Sequence, residues 1–172
     1  MKIHSSFETE RLILKPTAIE DHEFFLELLN TPKWIKFVGD RNVKSIEQAK
    51  EYIRNRILPQ FEKFGYSNYT VIRKLDNAKI GSCGLFDREG LDGVDIGFAF
   101  LPEYEKKGYG FEAAERMKKA AFEEFNISQI LAITMKTNLA SQRILDKLGM
   151  TFEKIVKLPN DDEELLLYSI IN

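Results

Sequence analysis

Residues 94–125 read VDIGFAFLPEYEKKGYGFEAAERMKKAAFEEF. Val94, Ile96, Phe98 and Phe100 alternate with their neighbours at the period of a strand that buries one face. A polar elbow with glycines at 108 and 110 follows. Beyond it Phe111, Ala114, Met117, Ala121, Phe122 and Phe125 fall on one face of a 3.6-residue period. Strand, turn and helix in this order predict an anion site. The first helical turn has amides without intrahelical partners, and glycines beside it let phosphates approach the backbone.

Upstream, residues 69–73 and 79–86 are short β-rich runs joined by Leu75-Asp-Asn-Ala78, and residues 90–93 offer another turn. Three strands joined by brief turns predict an antiparallel meander, because parallel neighbours need long crossovers. An earlier helix is predicted with Ile46, Ala49, Ile53 and Ile57 on its apolar face, starting at a Ser45/Gln48 capping box and ending before Pro59. Trp34, Phe37 and Val38 are expected in a loop or short helix, either packed as a satellite core or lining an acceptor groove. Thr17 and Glu20 have capping-box spacing ahead of Phe24, Phe25, Leu28 and Leu29, with the element ending at residues 30–32. Residues 11–15 alternate as a first strand that stops at Pro16.

Downstream, residues 130–134 read as a strand, 138–148 as a helix stopped by Gly149, and 151–158 as a strand, which together suggest a crossover unit. An acidic connection at 161–164 precedes a final strand at 165–171. The expected fold is mixed α/β, with about seven mainly antiparallel strands and about four helices. Residues 1–172 are read as a single domain without internal repeats.

The chain has 172 residues, 44% of them hydrophobic, enough for one substantial core. Its 27 acids and 25 bases leave a formal charge of -2, so there is no general basic footprint for nucleic acid. No apolar run approaches a membrane span, and MKIHSSFETERL lacks the apolar core of a signal peptide, so a cytoplasmic location is expected. Cys83 is the one cysteine and reads as a small core residue. His4 and His22 belong to no ligand-like cluster, and no metal is expected.

Gly108-Tyr-Gly-Phe-Glu-Ala113 satisfies G-x-G-x-x-A, a pattern of dinucleotide sites. There, however, the glycines follow the strand directly and an acid about 20 residues onward holds the ribose. Here residues 102–107 intervene, and no Asp or Glu occurs between Phe125 and Asp146. No Walker A sequence is present either.

Pro102-Glu-Tyr-Glu-Lys-Lys-Gly-Tyr-Gly-Phe-Glu-Ala113, followed by Asn138-Leu-Ala-Ser-Gln-Arg-Ile-Leu-Asp-Lys-Leu-Gly-Met150, resembles the GCN5-related N-acetyltransferase superfamily, especially its ribosomal-protein alanine N-acetyltransferase branch. Thr9-Glu-Arg-Leu-Ile-Leu14 resembles that branch's opening strand and Ile80-Gly-Ser-Cys-Gly-Leu85 its third strand. The match departs at Glu105, where the family favours Gln, Arg or Trp, and at Lys106, where it favours Gly. An acid beside a pyrophosphate is unfavourable if its carboxylate faces the ligand, although Lys106 and Lys107 could offset it.

The resemblance implies an acetyl-CoA-dependent N-acetyltransferase acting on a primary amine. A protein or peptide N-terminus is the favoured acceptor, a polyamine or amino-sugar compound the second, and a noncatalytic CoA-binding or protein-interaction module the third. It implies that amides around Glu105, Lys106, Lys107, Gly108, Tyr109 and Gly110 hold the pyrophosphate, and that the strand around Phe98, Phe100 and Leu101 pairs with pantetheine. Asn138 either bonds the cofactor or caps its helix. Ser141, one turn on, resembles the branch's serine near the thioester sulfur, where it orients the carbonyl or relays a proton. Its other reading is a polar residue of the helix N-terminus. Asp95 resembles the acid that serves as base on this strand, and its alternative is a surface aspartate after a turn. A monomer or homodimer is expected, with no membrane and no direct nucleic-acid contact.

Overall fold

The computed structural model describes residues 4–172. Residues 1–3, part of the stretch read as lacking a signal-peptide core, lie outside the described residues. The order is β1 (Phe7–Glu8), β2 (Leu12–Pro16), α1 (His22–Leu28), α2 (Pro32–Phe37), α3 (Ile46–Tyr52), α4 (Leu58–Phe64), β3 (Asn68–Arg73), β4 (Ala78–Asp87), β5 (Val94–Phe100), α5 (Tyr109–Glu123), β6 (Gln129–Met135), α6 (Leu139–Lys147), β7 (Thr151–Val156) and β8 (Leu165–Ile171).

All eight strands form one sheet in the order β1-β2-β3-β4-β5-β6-β8-β7. The meander β3-β4-β5 is antiparallel as expected. The strand beyond the expected seven is β1, a two-residue piece too short to show a period. β8 inserts between β6 and β7, so the connection through α6 crosses one strand before returning to the sheet.

The helices also depart from expectation, for local reasons. Thr31 and Pro32 start a helix instead of only ending one. The Thr31 side chain accepts from the Trp34 amide and Pro32 falls in the first turn of α2, where its missing donor is harmless. Pro59 does not stop its helix, because residues Ile53–Ile57 form a π turn in which the Leu58 N–H donates to the Ile53 carbonyl. Pro59 then lies in the first turn of α4. Counting α3, the π turn and α4 as one run gives five helices among the described residues. Ser45 does cap α3 by accepting from the Gln48 amide. At α1 the reciprocal contact is shifted by one residue, Asp21 accepting from the Ala18 amide at 3.0 Å.

Opposed residues in neighbouring strands share a face. Tyr69, Cys83 and Phe98 therefore line one side, with Val71, Gly81 and Phe100 beside them. α5 packs on β4 and β5 and buries Ala113, Ala114, Met117, Ala120 and Ala121, small residues that permit close approach. The opposite face carries a polar buried cluster. Thr70 bonds Thr17 and Asp21 at 2.9 Å each, which ties β3 to the start of α1.

Candidate active site

Among the described residues one pair in the sheet is parallel, and it is short. β5 and β6 pair only at Val94–Ile130 and Asp95–Leu131. β5 stays paired with β4 as far as Phe100, and β6 with β8 as far as Met135. Beyond Asp95 and Leu131 the two strands part, leaving the facing backbone edges without ladder partners. Each runs at its carboxyl end into a helix N-terminus, β5 through the elbow into α5 and β6 into α6. Ligands of sheets with parallel strands bind at such divergences, outside the carboxyl ends of the strands.

The elbow opens with a 3-10 turn, Pro102–Tyr104. Lys106 then adopts φ 60° and Gly108 φ 83°, both left-handed. Among the described residues no hydrogen bond from the amides of residues 106–111 satisfies them within the protein, while the Glu112 amide begins the helical ladder on the Gly108 carbonyl. These unpartnered donors at the positive end of a 15-residue helix form an anion-binding surface.

The two glycines serve different ends. Gly108 supplies the left-handed turn. Gly110 lies where a Cβ would be 3.0 Å from Ile144 Cδ1 and 3.7 Å from the Phe100 ring, so its bareness lets α5 dock against α6 and β5. The sequence reading places Gly110 at the ligand, and the structure adds a packing contact to it.

Arg11, on the β1–β2 turn, grips the elbow from behind. Its Nε and Nη2 each reach Glu112 at 2.7 Å, its Nη1 donates to the Lys107 carbonyl at 3.0 Å, and its guanidinium lies 4.4 Å from the Tyr109 ring centre. Burial works to raise the Glu112 carboxyl, but hydrogen bonds from Thr9 and Arg11 hold it below its ordinary value. Glu105 forms an ion pair with Lys33 of α2. Lys33, Arg11 and Arg88 were not singled out in the sequence, since their partners lie 72, 101 and 7 residues away and no local pattern marks them.

Asn138 caps α6, its side-chain oxygen accepting from the Ser141 amide at 3.2 Å. Of the two roles open for it, the cap is the one seen. Ser141 precedes Ile144 by one turn and therefore lies on the side of α6 that faces Gly110. Asp95 stands at the vertex of the parted strands and is buried, 1% exposed. Its Oδ2 accepts from Arg88 at 3.2 Å and its Oδ1 has no partner among the described residues. Burial raises its carboxyl above the ordinary range, with Arg88 opposing the shift. Thr134, on the divergent part of β6, also buries an unpartnered hydroxyl.

Cys83 is fully buried in β4 and burial pushes its thiol up, away from a nucleophilic thiolate. No group of His, Cys, Asp or Glu suited to a metal occurs among the described residues, and no helix there is long and apolar enough to cross a membrane. A surface concavity lined by Thr9, Glu112, Arg116 and Phe122 carries both signs of charge on the outer side of α5, away from the parted strands.

A sheet whose lone parallel pair opens between two helix N-termini defines an acyl-CoA N-acyltransferase fold. The chain belongs to the GNAT acetyltransferases: the family model for the acetyltransferase (GNAT) domain matches residues 11–151. It is 27% identical over 167 residues to the uncharacterized N-acetyltransferase YnaD of Bacillus subtilis (strain 168), covering 95% of each chain. It is 25% identical over 157 residues to the FsC-acetyl coenzyme A-N(2)-transacetylase of Aspergillus fumigatus, covering 88% of this chain and 67% of that one. In fold it matches the ribosomal L7/L12 alpha-N-protein acetyltransferase RimL in complex with coenzyme A, with a TM-score of 0.83, 16% identity, and 97% and 98% of the two chains covered. The protein is an N-acetyltransferase that uses acetyl-CoA. The residues present suit that cosubstrate, offering free amides for a pyrophosphate and an open strand edge for an amide-bearing arm.

Proposed function

We propose that residues 1–172 form one domain that transfers acetyl directly from acetyl-CoA to the α-amino group of a protein or peptide. The observation that carries the proposal is the parting of β5 from β6 beyond Asp95 and Leu131, between the elbow and Asn138. Amides of residues 106–110 hold the pyrophosphate, and the open edge of β5 from Phe98 to Leu101 pairs with pantetheine. The elbow amides and the strand edge together fix the thioester relative to Asp95.

An attacking amine must be neutral. Asp95, with one carboxylate oxygen unpartnered and the other on Arg88, takes the ammonium proton through water. Ser141, its amide already used by Asn138, has its hydroxyl left to orient the thioester carbonyl or relay a proton to the thiolate. The protein-acceptor reading draws support from the fold likeness to RimL. A small amine is the second reading, favoured by the likeness to the FsC transacetylase.

Thiol release from acetyl-CoA, measured against a panel of N-terminal peptides and a panel of small amines, tests the proposal. Turnover on peptides supports it, and turnover confined to small amines replaces it with the second reading. Acetyl-CoA binding without turnover on either panel would leave a noncatalytic module.

A further inference from the structure

Thr9-Glu-Arg-Leu-Ile-Leu14 is a motif to which the proposed chemistry assigns no task, yet its arginine contacts Lys107, Tyr109 and Glu112 at the elbow and the start of α5. Arg11 is half exposed, and its whole guanidinium fork is spent on one loop. Two nitrogens go to the Glu112 carboxylate, the third to the Lys107 carbonyl, and the plane lies against Tyr109. Thr9 adds a 2.6 Å hydrogen bond to the same carboxylate.

The contact with the carbonyl has a geometric consequence. No peptide bond in the described chain is cis. In a trans peptide the C=O and the following N–H point in opposite directions. Holding the Lys107 carbonyl toward the hairpin therefore turns the Gly108 N–H to the other side of the loop. Gly108, at φ 83° and with no side chain, has no local preference strong enough to keep that plane by itself. Glu112, four residues on, keeps Arg11 in place through the first turn of α5.

We propose that Arg11 is a positioning residue for acetyl-CoA, orienting the Lys107–Gly108 peptide so that its N–H is presented to the pyrophosphate. The inference rests on the reading of the elbow as the pyrophosphate site. A lysine at position 11 keeps the charge and can pair with Glu112, but it lacks the planar fork needed to hold carboxylate and carbonyl together.

The test is calorimetric titration of the full chain with CoA and with pantetheine, which has no pyrophosphate, for the wild type, Arg11→Lys and Arg11→Gln, with melting temperatures alongside. Wild type is expected to prefer CoA. Both variants should lose about tenfold in CoA affinity, the scale of one charge-assisted hydrogen bond, while pantetheine affinity stays within about twofold. A variant that keeps the wild-type CoA affinity, or that loses both ligands equally, overturns the positioning role and leaves Arg11 as a structural clamp. A wild type without preference for CoA over pantetheine overturns the elbow reading as well, and is recognised before any variant is measured.

Discussion

Glu105, the acid within the anion-binding loop, is paired with Lys33 of α2. A lone carboxylate here would repel a pyrophosphate. The pair neutralises it and ties α2 to the elbow. Lys33→Ala is expected to weaken CoA binding about two- to fivefold at low salt, the range of an exposed ion pair, and less at high salt. Adding Glu105→Gln should restore affinity, since the uncompensated charge is then gone. Equal CoA dissociation constants for wild type and Lys33→Ala at low ionic strength would show that the pair does not shield the site.

Asp95 makes a prediction in pH. Burial raises its carboxyl above 3.8, against the pull of Arg88. The folded chain therefore keeps this proton at pH values where the unfolded chain has lost it, so between 3.8 and the raised value the Asp95 contribution to stability falls as pH rises. The same ionisation should appear as the rising limb of kcat/KM. Asp95→Asn is expected to lower turnover by roughly 10²–10⁴-fold with little change in CoA affinity, and to abolish both that limb and the stability slope. Arg88→Gln removes the group that holds the pKa down, so its limb should move to higher pH. A limb unmoved in both variants would take the base role away from Asp95.

How much of this was readable beforehand depended on distance along the chain. The strand, elbow and helix of residues 94–125 were legible because the period changes from 2 to 3.6 within the quoted stretch, and Gly149 marked the end of α6 by being a glycine, whose left-handed φ of 82° the structure then shows. Asp95, Gly108 and Asn138 were placed on the correct elements for the same reason. Pro59 misled because a π turn five residues long resets the hydrogen-bond ladder ahead of it, and nothing in the composition of Ile53–Ile57 announces that. The parting of β5 from β6 had no local sign either. It depends on which strands pair, and those strands are separated by the whole of α5. Arg11 and Glu112 met only through folding, 101 residues apart.

Backbone strain at the elbow is measurable. Lys106 holds φ 60°, a conformation that costs a side-chain-bearing residue roughly 1–2 kcal/mol relative to glycine. Lys106→Gly relieves that strain but gives the unfolded chain more freedom, worth about 0.4–1 kcal/mol. A net gain of about 0.5–1 kcal/mol is expected from the difference. Gly108→Ala runs the other way. It places a Cβ at φ 83° and 3.2 Å from Arg11 Nη2, and strain of about 1–2 kcal/mol less the roughly 0.4–1 kcal/mol by which alanine restricts the unfolded chain leaves a net cost of about 0.5–1 kcal/mol in urea unfolding. If Lys106→Gly destabilised the protein by as much as Gly108→Ala does, strain would not be the controlling term.

Gly110 separates packing from ligand clearance. A Cβ there meets Ile144 Cδ1 at 3.0 Å, the movable end of a side chain, while alanine gains about 0.5–1 kcal/mol over glycine within a helix. Gly110→Ala alone should therefore be close to neutral. Ile144→Val removes the crowding methyl and should by itself cost about 0.5–1.5 kcal/mol. In that background Gly110→Ala is expected to stabilise by about 0.5–1 kcal/mol, giving a favourable coupling between the two sites. CoA affinity supplies the second readout, because a ligand that needed the bare Cα of Gly110 would lose affinity to alanine in either background. Binding that weakens with Gly110→Ala alone and recovers with Ile144→Val assigns the glycine to the contact between α5 and α6. Binding that stays weak in the double variant returns it to the ligand.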